Sequence, residues 1–186
     1  MGGGCHECKT GADCGTDTWG AHPGCNSSNN CICRVKDPGN VLTDSGFDSA
    51  GALASWGGGT KTNVAIGSDA DHCRTSGSAH LQDGFDTIEQ CATVSASKKY
   101  YFGFSAFNDG DLMGCGVYLY SDAACGTQVA TAAIVMGNST SATWALFHTS
   151  FTTASNAKSA RVFCAPFNAG TGYVDEIYLN PNGDNF

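Results

Sequence analysis

Charge is scarce in this chain of 186 residues: 14% of it is Asp, Glu, Lys or Arg, with 9 basic side chains against 17 acidic ones. No clustered Lys/Arg stripe exists to set against phosphates, which argues against nucleic acid as a partner. Apolar runs are short as well. None approaches the roughly 18 residues of a membrane-crossing helix, so no membrane span is expected. Signatures of catalysis are missing: there is no Gly-x-Ser-x-Gly elbow and no phosphate loop, and His6, His22, His72, His80 and His148 are scattered without metal-ligand spacing. The acid pairs Asp69/Asp71 and Asp109/Asp111 fall in turn-like sequence, where solvated Asp is ordinary. These absences lead to the expectation that the protein is not an enzyme. A sustained helical period and internal repeats are also lacking. Met1 to Gly4 run into Cys5 without the apolar stretch of a secretory leader.

What is present is glycine, 25 residues of it, and 11 cysteines. So many cysteines point to an oxidising, extracellular location, secreted or at a cell surface. They divide unevenly. The turn-forming run Lys36-Asp37-Pro38-Gly39-Asn40 separates six cysteines from five spread over a much longer segment. The boundary is therefore placed there, giving a cysteine-rich segment over 1–37 and a second domain over 38–186. Residues 1–37 hold few large apolar side chains beyond Trp19, Ile32 and Val35, so they need covalent staples in place of a core.

From Val41 onward apolar and polar residues alternate with period two between Gly-, Asn- and Asp-rich turns. The pattern predicts strands near 41–47, 62–66, 78–82, 87–94, 99–107, 115–120, 127–135, 143–151, 158–164 and 172–179. Short strands at this spacing predict an all-β fold, an antiparallel β-sandwich or jelly roll preceded by a small disulfide-rich segment with little regular structure. Phe102, Phe104 and Ala106 alternate with Tyr101, Gly103 and Ser105, and Val117 and Leu119 with Tyr118 and Tyr120. Cys115 and Cys125 flank an expected hairpin, and Cys73 and Cys91 another, so bridges are expected there, leaving Cys164 single. The odd total leaves either a free thiol or a bridge between subunits. The N-terminal Cys5-His6-Glu7-Cys8 admits a zinc site with Cys25, Cys31 and Cys33, but the paired spacing of a zinc ribbon is absent and disulfides are the preferred reading.

Between 40 and 180 an ordered set of short motifs recurs: Asn40-Val41-Leu42-Thr43-Asp44-Ser45-Gly46-Phe47-Asp48, Trp56, Gly77-Ser78-Ala79-His80-Leu81, Gln90-Cys91-Ala92-Thr93-Val94, Tyr100-Tyr101-Phe102, Thr143-Trp144, Phe151-Thr152 and Tyr173-Val174-Asp175-Glu176-Ile177-Tyr178-Leu179. This order and spacing resembles the family 4/9-like carbohydrate-binding modules, of galactose-binding-like jelly-roll type. Cys91, Cys115, Cys125 and Cys164 resemble those of a bacterial extracellular subset. Departures are Asp48 where the family has Glu, and Asp175-Glu176 for its terminal acidic pair. The resemblance implies a non-catalytic extracellular glycan-binding or adhesion module with a polysaccharide or surface glycan as partner. It also places Trp56 and Trp144 at mainly structural positions.

Simple alternation on the last strand puts Asp175 on one face with Ile177 and Leu179. If that is the core face, its carboxylate needs compensation, and with few basic residues available Ca2+ is a natural partner. The resemblance implies that Asp48 and Asp175 share a structural Ca2+; alternatively Asp175 accepts backbone N–H bonds and Asp48 caps a turn. Sugar stacking is expected from Tyr101, Phe107, Tyr118 and Tyr120, which alternate with the core residues, or at the loops around Gly57-Gly58-Gly59, Asn108-Asp109-Gly110-Asp111 and Asn168-Ala169-Gly170-Thr171-Gly172. The competing expectation is a structural subunit of an extracellular filament or surface coat, with the N-terminal segment and the odd cysteine joining copies of the chain.

Overall fold

A computed structural model describes residues 39–47, 52–58, 62–65, 77–82, 86–108, 112–137, 144–167 and 171–183. The cysteine-rich segment expected over 1–37, the alternative zinc site and Cys73 lie outside these residues. Nine strands follow one another among the described residues: β1 (Thr62–Ala65), β2 (Gly77–Gln82), β3 (Ile88–Thr93), β4 (Lys99–Asn108), β5 (Leu112–Tyr120), β6 (Gln128–Gly137), β7 (Ala145–Thr152), β8 (Ser159–Phe167) and β9 (Thr171–Asn180). A short 3-10 helix, Ala52–Ser55, precedes them. The strands form a five-stranded sheet, β1-β2-β9-β4-β7, and a four-stranded sheet, β3-β8-β5-β6. Every pairing is antiparallel. The chain is an all-β sandwich, as the alternation predicts.

Alternation sorts the side chains of each sheet. Phe102, Phe104 and Ala106 of β4, Met113, Val117 and Leu119 of β5, and Ala160 and Val162 of β8 are buried between the sheets. Phe104 and Phe147 are register partners on β4 and β7, with ring centroids 5.5 Å apart. Phe147 also closes the side of the sandwich, because a Cβ at Gly137 of β6 would lie 1.7 Å from its ring.

The segment 41–47, expected as a strand, is a string of turns and bends. Asp44 and Phe47 have φ of 47° and 51°, left-handed conformations that lie outside the extended region of regular strands. Side chains supply what a ladder would have. Asn40 Oδ1 accepts the N–H groups of Leu42 (3.1 Å) and Leu179 (3.0 Å), while its Nδ2 donates to the carbonyl of Ile177 (3.0 Å). From β3, buried Gln90 accepts the Thr43 N–H at 2.8 Å and donates to the carbonyls of Thr43 and Ser55, both at 3.0 Å. The segment is thereby held beside β9 and under Trp56, which is 2% exposed and donates its indole N–H to the Asp44 carbonyl at 3.1 Å.

The disulfides correct the expected pairing. Cys115 bonds Cys164, and Cys91 bonds Cys125. The hairpin bridge Cys115–Cys125 fails because Cys115 points into the core with Val117 and Leu119, where its register partner on β8 is Cys164. Cys91 faces outward on β3, so its partner is the β5–β6 loop and not Cys73. Cys164 is accordingly not single.

Candidate functional site

The four expected stacking aromatics do not share a face. Tyr101 and Phe107 lie on the outer face of the five-stranded sheet, where Lys99 Nζ sits 4.7 Å from the Tyr101 ring and Phe107 touches Tyr173 and Trp144. Tyr118 and Tyr120 lie on the outer face of the four-stranded sheet. The two pairs alternate with core residues equally well, but the two layers turn them to opposite sides of the molecule.

On the Tyr118 side a cleft of about 540 Å³ is lined by Thr87, Glu89, Tyr118, Tyr120, Gln128, Thr131, Arg161 and Phe163. Its floor depends on glycine. Gly116 of β5 is the register partner of Phe163 on β8, and a Cβ there would lie 2.6 Å from the Phe163 ring. The ring therefore lies over bare backbone, and Tyr118 stacks on it with centroids 4.8 Å apart and planes 9° from parallel. This makes a flat aromatic platform beside polar groups.

Arg161 is held from three directions. One guanidinium nitrogen donates to the Cys125 carbonyl at 2.8 Å, another lies 3.6 Å from Glu89 Oε2, and the group sits 5.2 Å from the Tyr120 ring centroid. Both members of the ion pair are about a third exposed, so it contributes little to stability and serves to orient the guanidinium. The loop that supplies the Cys125 carbonyl is shaped by Asp122. Its Oδ1 accepts the N–H groups of Ala124 (2.9 Å) and Gly126 (3.0 Å), and its Oδ2 accepts those of Gly126 (3.2 Å) and Thr127 (2.5 Å).

The N–H groups of Gly126 and Thr127, and then that of Ala124, hold the Asp122 carboxyl below its ordinary value of 3.8. A depressed folded value means that the stabilisation is fully present above 3.8 and is lost as pH falls through the folded value. Acidification below that range is expected to loosen the β5–β6 loop reversibly. Amide exchange at Gly126 and Thr127, corrected for intrinsic rates, should accelerate there; protection that ignores pH would mean that the carboxylate is not the anchor.

A flat aromatic pair beside a fixed guanidinium, a carboxylate and side-chain hydroxyls and amides is suited to ring-shaped, hydroxyl-rich molecules. Several solved structures with the same sandwich are named as carbohydrate-binding modules. The fold is that of carbohydrate-binding modules. A family 61 module in complex with β-1,4-galactotriose superposes with a TM-score of 0.56 at 17% identity, covering 77% of this chain and 99% of that one. The C-terminal family 22 module of a Clostridium thermocellum xylan-degrading enzyme gives 0.54 at 16%, covering 80% and 98%. The enzymatically active domain of a bacteriophage CBA120 tailspike protein gives 0.54 at 14%, covering 76% of this chain; this chain spans only 21% of that one. No protein-family model and no curated protein matches the sequence.

Within this module fold, Asp175 is where simple alternation does not place it. Gly103 pairs with Tyr178 and Ser105 with Asp175, so two steps on β4 face three on β9. The extra residue is a bulge at Glu176, whose φ is 47°. Val174, Ile177 and Leu179 consequently share the core face, and Asp175 turns the other way, opposite Ser105. It is nevertheless fully buried, and its Oδ1 accepts the Glu176 N–H at 2.7 Å. Asp48 lies outside the described residues. Among the described residues no group of three or more His, Cys, Asp or Glu converges as a metal site. No helix among them is long and apolar enough to cross a membrane.

Sequence reasoning had Tyr118 and Tyr120 but missed Arg161, Phe163 and Glu89. The available signal was alternation on 158–164, which turns Arg161 and Phe163 outward. Their meeting with Tyr118 depends on β8 lying next to β5.

Proposed function

We propose that this chain is a non-catalytic, extracellular glycan-binding module whose sugar site is the cleft on the outer face of the four-stranded sheet. The Tyr118–Phe163 platform carries the reading: its flat exposed side offers a sugar ring an apolar surface, while Arg161, Glu89, Gln128 and Thr131 offer hydrogen bonds at its rim. Structural neighbours crystallised with β-1,4-galactotriose or named as xylan-binding support a polysaccharide as ligand. Non-catalytic action is supported by the neighbours' being named as binding modules. Two disulfides among the described residues support an extracellular setting. The test is a polysaccharide array combined with electrophoresis through glycan-containing gels. Retardation by at least one polysaccharide is expected, with no release of reducing ends. An empty array and unretarded migration would remove the reading.

A structural Ca2+ held by Asp175 and Asp48 is part of the same proposal. What supports this reading is one fully buried carboxylate, Asp175, on the strand to which the 40–47 segment is hydrogen-bonded through Ser45 and Ile177. Such an ion would join the first residues of the sandwich to its last strand by charge neutralisation. Calcium is expected to raise the melting temperature and EDTA to lower it, with Asp175→Asn abolishing the difference. A melting temperature indifferent to both reagents sinks the ion.

A further inference from the structure

The outer face of the four-stranded sheet continues past the cleft and changes character as it goes. At the cleft end, Tyr120 pairs with Gln128 of β6, and Tyr118 pairs with Thr131 of β6 and Arg161 of β8. The next outward row is Ile134, Gly116 and Phe163. Beyond it come Met136, Gly114 and Ala165, and then Leu112 beside Phe167. From Gly116 to Leu112 no outward position on these three strands is polar.

Leu112, Ile134 and Met136 are 36%, 53% and 54% exposed, and they are the exposed large apolar side chains among the described residues. All three stand at this one end of this one face. Singly exposed apolar residues are ordinary on a protein surface, but a contiguous group marks a binding surface. Glycine extends the floor of the cleft into it. A Cβ at Gly114 would lie 2.3 Å from the Phe167 ring and 3.1 Å from Met136 Cγ, so Phe167 lies over the β5 backbone as Phe163 does at Gly116. The result is a flat apolar track continuous with the aromatic platform, rising about 20 Å along β5 from Tyr118 to Leu112.

A ligand that was sugar throughout would leave that track exposed to water, and a purely apolar ligand would strip water from Arg161 and Glu89 without replacing it. We propose that the ligand is amphipathic: a saccharide carrying an alkyl, acyl or aryl group, with the sugar on Tyr118 and Phe163 and the apolar group along the track toward Leu112. This rests on the glycan-binding reading of the same cleft. The continuity of platform and track argues for one occupant, and Gly114 and Gly116 are what make it continuous.

The test uses xylo-, cello- and galacto-oligosaccharides, each free, as its octyl glycoside below the micellar concentration, and as its feruloyl ester, titrated against the full chain. A substituted form is expected to bind at least about tenfold more tightly than its free parent. In Ile134→Ser/Met136→Ser, free and substituted forms should bind alike; both side chains are more than half exposed, and circular dichroism checks the fold. A gain with the octyl glycoside indicates a glycolipid-like source, and a gain with the ester an acylated polysaccharide. Equal affinity of free and substituted sugars for the unaltered chain overturns the inference and leaves the glycan reading standing. Absence of binding by every saccharide overturns both. A concentration-dependent dimer that the double variant dissolves assigns the track to a second copy of the chain and likewise overturns the inference.

Discussion

Alanine at both Cys115 and Cys164 is expected to cost the domain about 4 kcal/mol, read as a fall in the urea midpoint together with a steeper slope, because the unfolded chain freed of the cross-link exposes more surface. The two residues are fully buried register partners on adjacent strands and are separated by 49 residues in the chain. Their bond constrains the unfolded ensemble and fills the space between the sheets. Cys91–Cys125 closes 34 residues, so its chain-entropy contribution is nearly the same. The interior pair should still cost more to remove, because its sulfurs are replaced by a void among Val117, Val162 and Leu119. Accessibility gives a second reading of the same arrangement. Cys91 is exposed, so mild reductant should open Cys91–Cys125 first, while Cys115–Cys164 survives until the sandwich unfolds. Alkylation followed by peptide mass spectrometry reads the order. Simultaneous labelling of these four cysteines at low reductant would contradict the burial of Cys115–Cys164.

Tyr118→Ala is expected to weaken glycan binding by about thirtyfold, equivalent to about 2 kcal/mol, with little change in melting temperature. Tyr118 is half-buried and its contribution to the fold is a surface stack on Phe163, whereas a sugar ring would lose half of its platform. Phe163→Ala should act in the same direction, because it removes the support under Tyr118 and uncovers the backbone at Gly116. Tyr101→Ala is the control, since its ring stands on the far sheet beside Lys99. Isothermal titration with the polysaccharide retained on the array separates these cases. Equal losses for Tyr118→Ala and Tyr101→Ala would show that the cleft is not where the sugar sits.

The two corrections at cysteine and at Asp175 have one origin. Alternation is a local property, and β4, β5 and β8 obey it closely enough that Phe102, Val117 and Val162 can be assigned to the core by parity alone. Parity fails at the first bulge. Glu176 takes a left-handed conformation only because β9 must match β4 on both sides of Phe104, and neither strand records that demand in its own pattern. The turn-rich segment 41–47 is a similar case. Its apolar residues, Val41, Leu42 and Phe47, resemble strand spacing, but Asn40 and Gln90 satisfy its backbone from distant parts of the chain.

By itself the sequence determined the class of fold, through period-two alternation, and which aromatic side chains would face away from the core, through the same parity. Cysteine usage also led to the expectation of an oxidising setting, with which the two bonded pairs are consistent. Only the tertiary structure decided which outward residues share a face. The order β3-β8-β5-β6 brings Glu89, Arg161 and Tyr118 together and sends Tyr101 to the other side. The same order, and not the hairpin, chose the partners of Cys115 and Cys91. Strand order is a property of pairings between segments far apart in sequence, and the free energy that selects it comes from two sheets burying their apolar faces together. No single strand carries that information.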